Sequence, residues 1–197
     1  MMTPRTTRGL LQHMLRCLAR SVLLSAIMFS LCSSLYVLAV VEATQVVSGS
    51  GDAMAVGQPS PSFTLPDLAG QTVTSSLYQQ RPLILNFWAT WCAPCREEMP
   101  LLQQAYDTHQ RAGLMVVAIS QDTADRAAAA RTYWTQSGWT FPSLLDSDGV
   151  VAKQYQVLFL PSTIFMNAQG VVTAIHRGPI SPIQLKQYLA TIMAPRG

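Results

Sequence analysis

Charged side chains are scarce in this sequence. Aspartate, glutamate, lysine and arginine make up 12% of its 197 residues, and the formal net charge is +3. The excess belongs to the N-terminus, because residues 1–43 contain four arginines and one glutamate, whereas residues 44–197 contain nine basic and nine acidic side chains. Proteins that bind nucleic acid use clustered basic side chains for the phosphates. The composition therefore predicts no nucleic-acid partner.

Cysteine and histidine are also rare. The chain has four cysteines and three histidines, and Cys92 and Cys95 are the only cysteines outside the N-terminal part. A structural disulfide framework needs more cysteines at wider spacing. A zinc site needs a second pair or histidines at ligand spacing, whereas His109 and His176 are isolated in the sequence. We therefore expect no metal and no cofactor, and we interpret the two N-terminal cysteines as incidental.

One long apolar run lies near the N-terminus. Residues 21–41 carry no charge, and their length exceeds the roughly 7–15 residues of a signal-peptide core and matches the roughly 20 that span a bilayer. Arginines before the run and none soon after it predict a cytoplasmic N-terminus. We therefore predict a single-pass inner-membrane anchor over residues 1–43, with the rest in the periplasm. A cleaved signal peptide is the alternative, and it too would place the catalytic domain outside the cytoplasm.

The remainder reads as a linker followed by one α/β domain. Residues 44–61, with Gly, Ser and Pro and no periodicity, predict a flexible linker, and residues 62–197 the domain. Alternating segments at 62–65 and 71–74 predict a β-hairpin. Asp122 or Thr123 is expected to cap a helix that runs to about residue 136, and Ser181 with Pro182 to begin the last helix. Further strands are predicted at 82–88, 114–120, 140–145, 162–166 and 171–176, which makes a mixed sheet.

Two cysteines stand where an apolar predicted strand meets a predicted helix. The stretch is Asn86-Phe87-Trp88-Ala89-Thr90-Trp91-Cys92-Ala93-Pro94-Cys95. Free N–H groups and the positive end of the helix dipole stabilise a thiolate at a helix N-terminus. We therefore predict Cys92 as the nucleophile, with the Trp91 ring shielding one side of its thiol. Cys95, one helical turn further on, is predicted to be the buried resolving thiol.

The motif Trp91-Cys92-Ala93-Pro94-Cys95, followed five residues later by Pro100, resembles the thioredoxin fold. The fuller string at residues 85–92, LNFWATWC, is similar to the membrane-tethered thiol–disulfide oxidoreductases of the TlpA, ResA and cytochrome-c-maturation type. The resemblance extends over about residues 56–192. It implies a thioredoxin-like mixed sheet flanked by helices, with an extra N-terminal β-hairpin and a central helical insert. It further implies protein disulfide substrates, such as apocytochrome c or copper-site cysteines, and a membrane thiol electron donor.

Two polar residues near the cysteines gain a role from this resemblance. Ordinary thioredoxins have a buried aspartate at the position of Asn86, where it exchanges protons with the inner thiol. Asn86 cannot titrate, so another acid must serve. The resemblance to the ResA type implies that Glu98, three residues after Cys95, exchanges protons with that thiol. On spacing alone, Glu98 could equally be a solvated glutamate on the helix surface.

Two prolines are further candidates. Pro94 suits a first helical turn, but it removes an N–H that could stabilise the Cys92 thiolate, which favours a reductant over a strong oxidant. Pro161 stands before a predicted strand, where the thioredoxin fold has a cis-proline packed against the disulfide. Phe159 and Ser162 depart from the family pattern here. Phe159 is expected to make the lip of the site bulkier and more apolar, which leaves the substrate open.

Two other functions compete with the reductase. A thiol peroxidase is suggested by the N-terminal hairpin, but the Pro-x-x-x-Thr-x-x-Cys pattern of peroxiredoxins is absent, because Asn86 stands four residues before Thr90 and Thr90 only two before Cys92. A copper carrier could use Cys92 and Cys95 as soft ligands. His176 comes too long after Pro161 to complete such a site well.

Overall fold

The computed structural model describes residues 54–194. The strands are β1 (Thr64–Pro66), β2 (Thr72–Thr74), β3 (Leu83–Trp88), β4 (Met115–Ser120), β5 (Ser143–Leu145), β6 (Ser162–Met166) and β7 (Val172–Arg177). The α-helices are α1 (Ala93–His109), α2 (Ala127–Ser137), α3 (Val150–Gln154) and α4 (Pro182–Ile192). Among these residues, no helix combines the length and the apolarity needed to cross a membrane. The predicted anchor at 1–43 lies outside the described residues.

Five strands form the main sheet, in the order β5-β4-β3-β6-β7. The central strand β3 pairs in parallel with β4 and antiparallel with β6. Every residue of β3 and β4 is buried, which explains why both sequences are mostly apolar rather than alternating, with Asn86 as the polar exception inside β3. The predicted thioredoxin-like mixed sheet is confirmed, and the strand that leads to the cysteines lies at its centre.

Alternate residues of β3 face two different apolar clusters. Leu85 and Phe87 pack with the hairpin and α3, whereas Ile84 and Trp88 pack with α1, α4 and the two cysteines. Because side chains alternate along a strand, Asn86 belongs to the same face as Ile84 and Trp88. A polar side chain is thus placed inside the layer between the sheet and the cysteine helix.

The predicted hairpin is present as the antiparallel pair β1–β2. The Asp67 carboxylate closes its turn by accepting the N–H groups of Ala69 and Gln71. The expected linker at 44–61 differs from the structure at its end: the N–H of Gly57 donates to the carbonyl of Val172, and the N–H of Ser60 to that of Gly170. Residues 57–60 therefore belong to the fold, because they satisfy the backbone of the edge strand β7.

The region after β4 corrects one local prediction. A 3-10 turn (Ala124–Arg126) precedes α2, and the Thr123 side chain makes no capping hydrogen bond. Asp122 does not cap the helix either, because its carboxylate bonds elsewhere. The start of α4 agrees with the sequence, since Ser181 and Gln184 form a reciprocal capping box and a proline occupies the first turn.

Candidate active site

The two cysteines lie at the junction of β3 and α1. A turn closed by the N–H of Cys92 donating to the carbonyl of Ala89, at 3.1 Å, joins the two elements. Cys92 is the N-cap of α1, and the N–H of Cys95 donates to its Sγ at 3.3 Å. A disulfide joins the two residues, whose Cα atoms are 5.3 Å apart. The first helical turn therefore directs a backbone donor at the sulfur that would carry the negative charge after reduction.

The tryptophan and the two cysteines of the motif differ in exposure. The Trp91 side chain is 59% exposed, Cys92 is 5% exposed and Cys95 is fully buried. Of the two sulfur-bearing residues, Cys92 is thus the one that retains contact with solvent. Pro94 lies within the first turn of α1, where its missing N–H leaves that of Cys95 as the donor to Cys92.

Glu98 is buried one turn behind Cys95 on the same helix. Its side chain is 4% exposed. One carboxylate oxygen accepts a hydrogen bond from Asn86 Nδ2 at 2.7 Å, and the other accepts one from the N–H of Ile180 at 3.1 Å. Burial raises the pKa of Glu98 from 4.5 to about 7, although the hydrogen bonds from Ile180 and Asn86 act in the opposite direction. The solvated-surface alternative is therefore wrong, and the carboxyl can exchange a proton near neutral pH.

Asn86 links three elements below the disulfide. Its Nδ2 donates to Glu98 on α1 and to Thr163 Oγ1 on β6, at 3.0 Å for the second bond. Its Oδ1 is buried and has no hydrogen-bond partner within the described part of the chain. The carboxylate requires a donor at this point, which an aspartate could supply only when protonated. An amide at position 86 thus fits an acid at position 98.

The Leu160–Pro161 peptide bond is cis, as the resemblance implies. Pro161 is buried directly before β6, and its carbonyl accepts the N–H of Gly178. Phe159 is 51% exposed, and its carbonyl accepts the Ser162 hydroxyl at 2.8 Å. The loop before β6 therefore presents an aromatic side chain to solvent, and its place at the lip of the site stays a prediction.

A second buried acid, Asp122, was not predicted as a site residue. Its side chain is fully buried, and its carboxylate accepts both the N–H and the hydroxyl of Thr90, the residue before Trp91. Position 122 follows a strand and precedes a helix, so its sequence context is that of a helix cap. The available signal was Thr90, which with Asn86 is one of two polar residues in the stretch before the cysteines and has no assigned role in the sequence pattern.

The described residues offer few candidate metal ligands. Residues 54–194 contain no group of three or more histidine, cysteine, aspartate or glutamate side chains that could hold an ion. His176 contacts the Tyr188 hydroxyl and the Pro179 carbonyl through its two ring nitrogens. Reduced Cys92 and Cys95 would therefore be the soft ligands offered at the active site.

Comparison with known proteins agrees with this geometry. The family model described as the AhpC/TSA family matches residues 56–175, which is more than half of the chain. The chain belongs to the AhpC/TSA family. Its similarity to curated proteins places it with the thiol–disulfide oxidoreductases of that family, as the resemblance of the motif implies.

This AhpC/TSA protein is 31% identical over 139 residues to the thiol-disulfide oxidoreductase ResA of Bacillus thuringiensis subsp. konkukian (strain 97-27), a match that covers 71% of this chain and 79% of the relative. It is 34% identical over 134 residues to the thioredoxin-like protein YneN of Bacillus subtilis (strain 168), covering 68% and 78%. Among solved structures, the protein assigned as the thiol:disulfide interchange protein DsbE of Chlorobium tepidum has a TM-score of 0.66 and 26% identity, covering 72% of this chain and 99% of that one.

The family assignment identifies the reaction class. Thiol–disulfide oxidoreductases exchange a dithiol for a disulfide through a mixed-disulfide intermediate. In this AhpC/TSA protein the Cys92–Cys95 pair has the arrangement that such exchange requires, with an outer sulfur at a helix N-terminus and an inner sulfur beneath it. The protein is therefore a thiol–disulfide oxidoreductase of the ResA and DsbE type, and its redox-active group is the Cys92–Cys95 disulfide.

Proposed function

We propose that this protein is a membrane-tethered reductase of disulfides in extracytoplasmic proteins. Glu98 carries the proposal, because a buried carboxyl with a pKa of about 7 lies one turn behind the inner cysteine. A resolving thiol must lose its proton before it can attack, and a base titrating near the working pH suits that task. The uncharged run at 21–41 and the arginines before it support the tether and the location.

The reaction proceeds in two exchanges. The Cys92 thiolate attacks one sulfur of the partner's disulfide, the partner's S–S bond breaks, and one partner thiolate leaves and takes up a proton. Cys95 then gives its proton to Glu98, and its thiolate attacks Cys92 Sγ in the mixed disulfide. The second partner thiolate leaves. Two electrons have passed to the partner, and Cys92 and Cys95 hold the disulfide seen in the structure.

Reduction rather than oxidation is the proposed direction. A strong oxidant stabilises its outer thiolate and so its dithiol form, which requires donors around that sulfur. Pro94 removes one of them, while the Cys95 N–H remains. The protein then needs electrons, for which we propose a membrane thiol donor. Tethering both to one membrane would raise their effective concentration.

The proposed substrates are apocytochrome c or the cysteines of a copper site. The family resemblance puts Phe159 at the lip of the site, so their cysteines would approach Cys92 past two exposed aromatic side chains, Trp91 and Phe159. An apolar surface favours an unfolded or extended segment with apolar residues beside its cysteine. Phe159→Ala should slow reduction of such a peptide roughly threefold and leave reduction of a small-molecule disulfide unchanged.

The reduction potential of the full-length protein in detergent tests the direction. The ratio of dithiol to disulfide at Cys92–Cys95 would be measured in glutathione buffers of stepped composition. A value near or below roughly −250 mV, on the thioredoxin side of the scale, supports a reductase. A value near about −120 mV, where strong oxidants lie, would contradict it. Stoichiometric copper binding by a dithiol with no reductase activity would instead support the carrier.

A further inference from the structure

The fully buried carboxylate of Asp122 accepts hydrogen bonds from the loop that carries the active-site motif. Its Oδ2 accepts the N–H of Thr90 at 2.9 Å, and its Oδ1 accepts the Thr90 hydroxyl at 2.6 Å. The Ser120 hydroxyl adds a third bond, to Oδ2, at 2.9 Å. Burying a charge is costly unless it is fully hydrogen-bonded, and here two of its three donors belong to one residue of one loop.

Thr90 is a central residue of the turn that delivers Cys92. The turn runs from Ala89 to Cys92 and is closed by the bond between their backbone groups. Its other central residue is Trp91, the exposed aromatic beside the disulfide. Two hydrogen bonds from one carboxylate to both the backbone and the side chain of Thr90 leave this residue little freedom to rotate. A residue just beyond the end of β4 thus fixes the turn that follows β3.

A neighbouring buried acid shows what an ordinary capping role looks like. Asp146 is also almost fully buried, and its carboxylate accepts the N–H groups of Val151 and Ala152 in the first turn of α3. It also accepts the Gln121 side chain. Asp146 therefore caps the start of α3, which is not the cysteine helix. The Asp122 side chain bonds to no helix and instead fixes the turn that leads to Cys92.

We propose that Asp122 is a positioning residue for Cys92: by clamping Thr90 it holds the Cys92 sulfur against the first turn of α1. The N–H of Cys95 donates to Cys92 Sγ in the disulfide and would stabilise the thiolate after reduction, and that bond depends on where the turn places Cys92. The inference rests on the proposed role of Cys92 as the attacking thiol. It assigns the stability of the Cys92 thiolate in part to a side chain thirty residues further along the chain.

The negative charge of Asp122 and its hydrogen bonds to Thr90 have opposite effects on the stability of the Cys92 thiolate, so variants of Asp122 can separate the two effects. Removing the negative charge of Asp122 favours a nearby thiolate, whereas releasing the turn disfavours it. In Asp122→Asn the charge is lost, but the amide can still accept the Thr90 N–H and donate to the Thr90 hydroxyl. In Asp122→Ala both charge and clamp are lost. The difference between these two variants therefore reports the clamp alone.

The test is the alkylation of the reduced full-length protein in detergent as a function of pH, with Cys92 followed by peptide mass spectrometry. From the midpoint of each profile, the Cys92 thiolate fraction at a fixed pH should be roughly tenfold lower in Asp122→Ala than in Asp122→Asn, since a hydrogen bond to a charged group is lost. The control Asp146→Ala should lower the melting temperature and leave the Cys92 midpoint unchanged.

Equal midpoints in Asp122→Ala and Asp122→Asn would overturn the proposal, because charge alone would then explain Asp122. If Asp122→Ala does not fold, Thr90→Val replaces it: this variant keeps the charge and removes one arm of the clamp. It should then show a lower thiolate fraction than the wild type, and an unchanged midpoint would contradict the clamp. Faster alkylation of Cys95 than of Cys92 would refute the assignment of the attacking thiol, a separate failure.

Discussion

Two buried carboxylates flank the active-site motif, and they differ in what donates to them. Glu98 accepts one hydrogen bond from an amide side chain and one from a backbone N–H, whereas Asp122 accepts two hydroxyls and a backbone N–H. Glu98 lies on α1 one turn behind Cys95, and Asp122 lies beyond the end of β4. The pKa of Glu98 is raised to about 7 because its two hydrogen bonds do not offset its burial.

The comparison separates two uses of a buried acid. A carboxyl with few donors next to a reactive thiol can gain and lose a proton, and it is placed to serve chemistry. A carboxylate whose donors belong to a neighbouring loop is placed to hold that loop. Two buried carboxylates therefore have different roles at one site. Their hydrogen-bond donors, rather than their burial, distinguish these roles.

The largest effect is expected from Asn86→Asp, which would give Glu98 a carboxylate in place of an amide donor 2.7 Å away. Two carboxylates at this distance cannot both ionise, so the folded pair would retain a proton that the unfolded chain releases. The free energy of unfolding should therefore fall by about 4 kcal/mol between pH 5 and pH 8. Urea titrations at the two pH values measure this. A loss of unfolding free energy no larger than that of the wild type would show that residue 86 does not influence the ionisation of Glu98.

The wild type should show the same trend to a smaller extent. The pKa of Glu98 is above its ordinary value in the folded state, so the folded protein binds more protons between pH 4.5 and 7. Its stabilising contribution is complete below pH 4.5 and is lost as the pH rises through 7, by about 3 kcal/mol in total. Glu98→Gln should lack this loss. Parallel slopes of unfolding free energy against pH in the two proteins would show that Glu98 does not titrate there.

Ser120→Ala removes one of the three donors to Asp122 and should cost about 2 kcal/mol, because a bond to a charged group is lost. It should lower the melting temperature more than the same substitution at a serine whose hydroxyl has no hydrogen-bond partner. Ser143 provides this control, since its buried Oγ has no partner among residues 54–194. Equal losses in Ser120→Ala and Ser143→Ala would mean that the third bond to Asp122 adds nothing.

The smallest effect is expected from Thr163→Val, which removes the acceptor of the second Asn86 bond without changing any charge. A neutral hydrogen bond contributes about 1 kcal/mol. Thermal unfolding of the oxidised protein would measure it. A loss several times larger would show that the Thr163 hydroxyl also keeps Asn86 in position to donate to Glu98, and not only that one neutral hydrogen bond is lost.

Local pattern predicted most of the scaffold. The central strand, the cysteine helix, the hairpin and the Ser181 cap each follow from residues adjacent in sequence, and the structure confirms them. Proximity of Glu98 to Cys95 also follows from helical spacing. The thioredoxin-like fold needed the resemblance in addition, because the strand pattern alone does not specify the order of the strands.

The local sequence pattern could not predict contacts between segments that are distant in the chain. The N–H of Ile180 reaches Glu98 across 82 residues, and Thr163 reaches Asn86 across 77. The role of Asp122 was missed because an aspartate after a strand and before a helix has the local context of a cap, and only tertiary structure shows that it bonds to Thr90. The end of the linker was misjudged for the same reason, since residues 57–60 pair with a strand more than a hundred residues away.

The most direct test of the account is the pH dependence of disulfide reduction by the full-length protein and by Glu98→Gln. The rate at which Cys95 resolves a preformed mixed disulfide at Cys92 would be followed by stopped flow. In the wild type this rate should rise with pH through a midpoint near 7, where Glu98 becomes able to accept the thiol proton. In Glu98→Gln that midpoint should disappear and the rate at neutral pH should fall roughly tenfold or more. The same profile in both proteins would contradict the assignment of Glu98 as the proton acceptor.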